Sequence, residues 1–410
     1  MAGRRRAWRS GVLGLCLLVG SLAGCGGQAG NASAKAAVQH VLDRRAAALL
    51  GHDERAYAAT GTRAGYTNLR AVPLASWTYR LTGLHPGGST TTADAEVRYR
   101  VRGFDRVPVT AERTLTLRRT ADGHWYVGAD RPAKDSGQQL WDEGPVAAVR
   151  GEHSLVLGVG QSGDRLHAYA RLADHAVPAV TQTWGTAWTR HVLVLVPRSL
   201  DGMAGLLGSP ASSYRGIAAV TTGETGAAKR GATRPKTAGA GTVRTPADRV
   251  IVNPDAYALL GDVGKQVVLT HETTHVATRA VTTPATPLWL SEGYADWIGY
   301  LGTGRTSTQV APELWRAVQD GHAPAALPTD KDFAFSGDAT KLAMAYEGGW
   351  LACRMIADHW GEVRLGEFYR AVGTRGKRAG AVEDALRKVL GTTPEGFTGR
   401  WRDYLRSQLG

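Results

Sequence analysis

Cysteine is scarce in this sequence, which has three cysteines, Cys16, Cys25 and Cys353, in 410 residues. The first two lie close to the start, in a segment that we expect to be processed. Only Cys353 would then remain as an unmodified thiol, so an internal disulfide is excluded and stability must come from apolar cores. We predict that Cys353 is a buried small hydrophobic residue rather than a metal ligand.

The apolar run at the start of the chain is short. Arginines at positions 4, 5, 6 and 9 precede residues 11–23, which are too few to span a bilayer comfortably. This order is typical of a signal peptide, here residues 1–24. Leu22-Ala23-Gly24-Cys25 resembles a bacterial lipobox, which implies that Cys25 is lipidated and anchors the chain to the extracytoplasmic face of the cell membrane. Ordinary secretion, with Cys25 incidental, is the alternative.

The main basic cluster of the sequence contains no aromatic residue. The formal net charge is +13, and removing the four arginines of the leader leaves 13 − 4 = +9. One basic cluster falls in a Gly/Ala/Thr-rich stretch, residues 223–247, which we predict to be a loop. Its members are Lys229, Arg230, Arg234, Lys236 and Arg244. Its charge could aid solubility or contact anionic lipid, but without stacking aromatics we expect no nucleic-acid partner.

The most informative motif is His271-Glu272-Thr273-Thr274-His275. Two imidazoles four residues apart lie on one face of a helix, where both can hold a single cation. A carboxylate from a second helix would complete three protein ligands and leave a fourth position for water, which is the arrangement of a catalytic zinc site. Glu272 is then placed to take a proton from that water.

The same residues could instead lie on a surface helix that carries histidine at helical spacing. The neighbouring residues favour an interior helix, because Val267 and Val268 share the histidine stripe while Leu269 and Val276 lie on the opposite side. Buried imidazoles and a buried carboxylate need partners or a metal, since unpaired burial costs several kcal/mol.

A second motif, Trp289-Leu290-Ser291-Glu292-Gly293-Tyr294-Ala295, resembles the W-L-N-E-G-F-A segment of gluzincin metallopeptidases. The resemblance is to the M1 aminopeptidase clan and to peptidase MA-like domains of bacterial lipoproteins, and it covers roughly the C-terminal half of the chain. It implies that Glu292 is the third ligand of one Zn²⁺ ion, and that the chain is a zinc-dependent peptidase acting on peptides or proteins. The link from His275 to Glu292 (292 − 275 − 1 = 16 residues) is shorter than in M1 enzymes.

Two more residues are assigned through this resemblance. Ala345-Tyr346-Glu347-Gly348-Gly349 resembles the Y-E-K-G segment of M1 enzymes, which implies that Tyr346 donates a hydrogen bond to the oxyanion formed during hydrolysis. Asp296 matches the E-x-x-x-D of thermolysin-like gluzincins and is a candidate partner of His271, because metal-binding imidazoles commonly donate their other N–H to a carboxylate. The alternatives are an ordinary buried tyrosine and a solvated or capping aspartate.

One motif of the M1 enzymes is missing. Their G-x-M-E-N segment captures the free amino terminus of the substrate, and residues 248–254, at the corresponding place, contain no such motif. The direction of cleavage is therefore left open, with an endopeptidase as the safer expectation. Three other functions remain as alternatives: an inactive zincin scaffold that acts as a binding protein of the cell envelope, a binding function in the N-terminal part, and hydrolysis of a non-peptide bond.

The predicted fold class is α+β. Residues 25–33 should form a tether, and residues 34–135 a small domain of one helix and an antiparallel sheet, which resembles the nuclear-transport-factor-2-like fold. The helix is predicted at 34–50, and the strands at 77–84, 93–104, 107–119 and 124–129.

After a connection near residues 135–150, a zincin-like domain should span residues 150–410. Its first part alternates strands with helices, which suits the mixed sheet that lies beneath the zinc helix in zincins. The strands are predicted at 154–160, 191–197 and 249–253, and the helices at 164–183 and near residue 200. From Gly264 onward the pattern is helical.

Overall fold

The computed structural model describes residues 26–87, 90–222, 246–334 and 338–410. The predicted signal peptide, the predicted lipidation site Cys25 and most of the basic stretch lie outside these ranges. Within the described residues, no helix combines the length and the apolar character needed to cross a membrane. The predicted α+β class is confirmed, because two sheets are followed by a helical C-terminal half.

The N-terminal part consists of helices packed on a four-stranded antiparallel sheet. Its helices are Gly26–Leu50 (α1), Glu54–Ala58 (α2) and Ala64–Leu69 (α3), and its strands are Leu74–His85 (β1), Thr91–Val101 (β2), Val109–Arg119 (β3) and Trp125–Pro132 (β4). Val38, Leu42, Ala46 and Leu49 recur at helical spacing and are buried where α1 packs on β1. The predicted order of one long helix and a meander is present.

Two details of this part differ from the prediction. Helix α1 begins at Gly26, so residues 26–33, predicted as a tether, are helical. The alanines at 32, 34, 36 and 37 are strong helix formers, and they extend the helix beyond the apolar pattern that marked it. Helices α2 and α3 were not predicted, because such short segments cannot show a helical apolar period.

A five-stranded mixed sheet follows, in the order β5-β6-β7-β9-β8. Its strands are Val146–Arg150 (β5), Ser154–Val159 (β6), Val192–Val196 (β7), Ala219–Thr222 (β8) and Arg249–Val252 (β9), and the helices between them are Gly163–Trp184 (α4) and Leu200–Leu207 (α5). Strands β6, β7 and β9 are parallel, and α4 connects the first two. Strands β5 and β8 run antiparallel to their neighbours, and each forms one edge.

The segment predicted as a connection at residues 135–150 therefore contains a strand of the second sheet. The sequence of β5, Val-Ala-Ala-Val-Arg, lacks the alternation of apolar and polar residues that predicts a half-buried strand. Val146 is its only buried residue. Strand β8 was also missed, because it is only four residues long.

The second sheet is covered on both faces, as its parallel strands require. Leu193 and Leu195 of β7 belong to a hydrophobic core shared with the N-terminal sheet, while Val194 packs on the other face against α4. A buried ion pair crosses the shared core: Arg249 donates to both carboxylate oxygens of Asp105, at 2.6 and 2.8 Å. The two parts predicted as separate domains thus share one core.

The C-terminal half is helical in the residues that the structure describes, as predicted. Its helices are Pro254–Ala258 (α6), Asp262–Thr278 (α7), Leu288–Tyr300 (α8), Ser307–Val310 (α9), Pro312–Gln319 (α10), Ala339–Trp360 (α11), Glu362–Gly373 (α12), Ala381–Ala385 (α13) and Pro394–Leu409 (α14). Helices α8 and α11 approach closely at Gly293 and Gly349, where a Cβ on Gly293 would lie 2.2 Å from the Gly349 carbonyl oxygen. Only glycine permits this contact, which brings the helix of Glu292 against that of Tyr346.

Candidate metal centre

Helix α7 carries both histidines of the motif and lies in the interior. Asp262 occupies its first turn, where the helix dipole favours an acidic side chain. Leu269 packs toward the second sheet, and Val267 contacts Gly299 of α8. The side chains of His271 and His275 are 13% and 19% exposed. The sequence-based prediction of an interior helix is therefore confirmed.

Glu292 of α8 meets both imidazoles. Its Oε2 lies 3.2 Å from Nε2 of His271 and 3.3 Å from Nε2 of His275, and the two Nε2 atoms are 3.0 Å apart. A tetrahedral zinc ion with bonds of about 2.0–2.1 Å separates its ligand atoms by about 3.3 Å. The three side chains thus fit a zinc ion in size and in chemical type, with a fourth position left for solvent or substrate. They form the one group of potential metal ligands found within the described residues.

Asp296 lies behind His271, at the contact that the sequence suggested. One of its carboxylate oxygens is 2.8 Å from Nδ1 of His271. When Nδ1 carries the proton and its N–H donates a hydrogen bond to Asp296, Nε2 keeps a free lone pair on the side of Glu292 and His275. This tautomer is the one that binds a metal. Burial lowers the pKa of His271, but the contact with Asp296 outweighs this effect, and the pKa of His271 lies well above its usual value.

The carboxylate of Glu292 is held in its ionised form. Burial acts to raise its pKa, but the neighbouring His275 and His271 reverse that effect and hold the pKa well below its usual range. Metal ligands must be deprotonated, so an ionised carboxylate beside two imidazoles is a suitable donor set for a divalent cation.

Glu272 faces the same centre from the buried side of α7. It is 6% exposed, and one of its carboxylate oxygens accepts a hydrogen bond of 2.6 Å from the hydroxyl of Thr221 on β8. The same hydroxyl lies 3.1 Å from the Glu272 backbone carbonyl. Thr221 therefore fixes the position of the predicted general base. Sequence reasoning missed this threonine, because nothing in the short segment around it marks a strand.

The centre opens into a cleft of about 590 Å³. His271, Glu272, His275, Glu292 and Asp296 line one wall, and residues of β8 and α11 line the others. Strand β8 is an edge strand, so no strand among the described residues lies on its outer side. The edge of a sheet therefore lies along the cleft.

Tyr346 of α11 lines this cleft as well. Its ring packs edge-on against Phe333, with centroids 5.2 Å apart. Burial raises the pKa of Tyr346 above its usual value, and the nearby carboxylates of Glu292 and Asp296 add to the shift. The hydroxyl therefore keeps its proton at neutral pH and can serve as a hydrogen-bond donor in the cleft.

The neighbouring Glu347 has a role that the sequence did not reveal. It is 8% exposed, and its carboxylate accepts hydrogen bonds of 3.2 and 2.7 Å from the backbone N–H groups of Glu313 and Leu314. These are early positions of α10, whose N-cap residue Ala311 has no capping side chain. Burial raises the pKa of Glu347 to about 7. Glu347 thus replaces the missing cap and joins α10 to the wall of the cleft.

Cys353 lies two turns further along α11 and is fully buried. Its Sγ is 3.9 Å from the backbone carbonyl of Leu290, and it is not part of the group formed by the two histidines and Glu292. The prediction of a buried small hydrophobic residue is confirmed.

The structure thus brings together His271, His275, Glu292, Glu272, Asp296 and Tyr346, while Cys25 lies outside the described residues. Comparison with protein-family models finds no match to this chain, and none of the curated proteins searched is significantly similar to it.

Proposed function

We propose that this protein is a zinc-dependent peptidase. The observation that carries the proposal is the meeting of His271 Nε2, His275 Nε2 and Glu292 Oε2 within 3.3 Å of one another on two helices. Two neutral imidazoles and one carboxylate leave zinc with a net positive charge and an open position, which is the ligand set of catalytic rather than structural sites.

The remaining residues of the cleft have the chemistry that hydrolysis needs. Zinc, when bound, polarises a carbonyl group and lowers the pKa of a water molecule. Glu272, held by Thr221, accepts the proton of the attacking water and returns it to the leaving amine. Tyr346 donates a hydrogen bond to the oxyanion, and Asp296 keeps His271 in its metal-binding tautomer.

The edge strand supports a peptide as the substrate. Ala219, Val220 and Thr221 of β8 line the cleft beside Glu272. An extended peptide can add to such an edge through backbone hydrogen bonds, which position it without regard to its side chains. A small ester or amide could not use this edge in the same way. We therefore prefer a peptide or protein substrate to a non-peptide one.

The proposed place of action is the outer face of the cell membrane, with Cys25 as the lipid-anchored residue. This proposal depends on the order of arginines, apolar run and Leu22-Ala23-Gly24-Cys25 at the start of the chain. Replacing Cys25 with serine should release the protein from the membrane fraction and abolish its metabolic labelling with fatty acid. Unchanged labelling would place the lipid elsewhere.

The central experiment compares the purified chain with its Glu272→Gln variant. Zinc content is measured by elemental analysis, and hydrolysis is followed on an unbiased library of quenched peptides. We expect both proteins to bind one zinc ion and the variant to cleave about 10²–10⁴-fold more slowly, because the proton acceptor is lost while the ligands remain. Glu395→Gln, at an exposed position of α14, is the matched control and should cleave at the original rate.

Two results would contradict the proposal. Equal cleavage by Glu272→Gln and the control would remove Glu272 from the mechanism. Zinc binding without cleavage of any peptide by the original chain would favour a binding protein of the cell envelope that uses the same scaffold.

A further inference from the structure

A second cavity, of about 300 Å³, lies in the N-terminal part of the molecule. Its walls come from α1, α2 and α3 on one side and from the four-stranded sheet on the other. It shares no lining residue with the metal cleft. Three features of this cavity, namely a buried cation, an unpaired N–H and aromatic walls, together indicate what it binds.

Arg45 is the buried cation. Its side chain projects from α1 and is 1% exposed. One terminal nitrogen donates to the backbone carbonyl of Thr62 at 2.9 Å, another is 3.4 Å from the hydroxyl of Thr60, and Nε has no partner. The guanidinium carbon lies 3.7 Å from the centre of the Tyr57 ring. No carboxylate among the described residues is within ion-pair distance, although a buried charge ordinarily requires one.

The two aspartates that line the cavity form ion pairs with another arginine. Arg113 donates to Asp130 at 2.7 Å and to both carboxylate oxygens of Asp142 at 2.9 and 2.7 Å. Burial raises the pKa of Tyr57 to about 12, so its hydroxyl stays neutral beside Arg45. Counting the exposed Arg131, three arginines and two aspartates line the cavity, an excess of 3 − 2 = +1.

A second unpaired donor belongs to another residue that lines the cavity. Nε1 of Trp77 is buried and has no hydrogen-bond partner, and Trp77 lines the cavity with Arg45. Trp141 and Tyr79 stand beside it, with ring centroids 5.3 and 5.9 Å from that of Trp77. Two residues that line the cavity therefore carry buried N–H groups without a partner. The aromatic faces and edges of the walls favour contact with a flat apolar body.

We propose that this cavity binds a small aromatic carboxylate, whose anionic end pairs with Arg45 and whose ring lies between the aromatic side chains. A carboxylate accepts the parallel N–H groups of a guanidinium and supplies the charge that Arg45 lacks. The volume suits a ligand of one or two fused rings, at the small end of the range for ligand pockets.

Two probe acids, benzoate and indole-3-carboxylate, test this proposal with the full chain. Their neutral amides, benzamide and indole-3-carboxamide, have nearly the same shape and serve as the reference. Binding is measured by calorimetry and by the shift in melting temperature, which rises with ligand concentration when only the folded state binds. We expect at least one acid to bind and to raise the melting temperature, with its amide about tenfold weaker or more, because the charged hydrogen bonds are lost.

Three variants assign the binding to this cavity. Arg45→Met should weaken binding of the acid to the level of the amide, and Arg45→Lys should restore part of it. Ala64 is exposed and lines the cavity, so Ala64→Phe should block entry with little effect on the fold. Thr67→Phe, at an exposed position of the same helix that does not line the cavity, should bind as the original chain does.

Failure of both acids to bind at millimolar concentration, equal binding of acid and amide, or unchanged binding by Ala64→Phe would each overturn the proposal. If Arg45→Met does not fold, the comparison of Ala64→Phe with Thr67→Phe decides alone. Zinc is not required in any of these measurements, so their result is independent of the peptidase proposal.

Discussion

The contact between α8 and α11 offers the most direct test of how the metal centre is assembled. Gly293 follows Glu292, and a Cβ at this position would lie 2.2 Å from the backbone oxygen of Gly349, whereas ordinary contacts begin at 3.4 Å. Gly293→Ala therefore requires a movement of about 3.4 − 2.2 = 1.2 Å between the two helices. The atoms that must move belong to the backbone, so no side-chain rotation can relieve the clash.

The sign of the effect follows from two opposing terms. Alanine is more favourable than glycine inside a helix by about 1 kcal/mol, while overpacking costs about 1–3 kcal/mol. Because backbone meets backbone, we expect the second term to prevail and the urea midpoint to fall. A displacement of about 1 Å between Glu292 and Tyr346 can also reduce catalysis about 10²-fold, and zinc affinity should fall as Glu292 moves.

Gly264→Ala is the matched control. It makes the same substitution inside α7, but its Cβ would meet only the side chain of Leu260, at an ordinary 3.4 Å. This variant should be as stable as the original chain or more so, with unchanged zinc affinity in a chelator competition. If Gly293→Ala matched Gly264→Ala in urea midpoint and zinc affinity, the close packing of α8 on α11 would be refuted.

Three further variants test other contacts. Asp296→Asn should weaken zinc binding about 10–100-fold, because an amide supports the tautomer of His271 less well; unchanged affinity in the same competition would dismiss this role. Asp105→Ala should lower the free energy of unfolding by about 3–5 kcal/mol, since Arg249 would remain buried without a charged partner. A loss below about 1 kcal/mol, as for an exposed ion pair, would mean that solvent reaches the pair. Glu347 has a pKa raised from 4.5 to about 7, so the folded state binds more protons than the unfolded state between these values and stability falls as pH rises through this window. Glu347→Gln should remove that decline, worth about 3 kcal/mol, as measured by urea unfolding at several pH values; an unchanged slope would refute it.

The grouping of the candidate metal ligands could be predicted from the sequence because these residues follow helical periods. The four-residue spacing of His271 and His275 and that of Glu292 and Asp296 each place two side chains on one helix face. The four residues meet as the two helices come together. What the spacing could not show is the packing that joins the helices, which depends on Gly293 and Gly349, far apart in sequence.

Contacts made by short elements escaped the sequence analysis. Thr221 lies on a four-residue strand and hydrogen-bonds to Glu272, a residue on the other side of the basic stretch. Glu347 caps a helix that begins before it in the chain. Neither contact leaves a periodic pattern, because each is a single side chain that reaches a distant backbone or carboxylate.

The largest difference concerns the boundary between the two predicted domains. Composition suggested a connection near residues 135–150, but Val146 belongs to a core that also contains Leu74 of the first sheet and Ile251 of the second. The pairing of Asp105 with Arg249, two residues 144 positions apart, cannot be read from local sequence. Cutting the chain at this boundary would expose that core and leave the buried charges unpaired. The metal cleft and the N-terminal cavity therefore belong to one folded body, and point variants of the full chain, rather than separated halves, can assign a function to each.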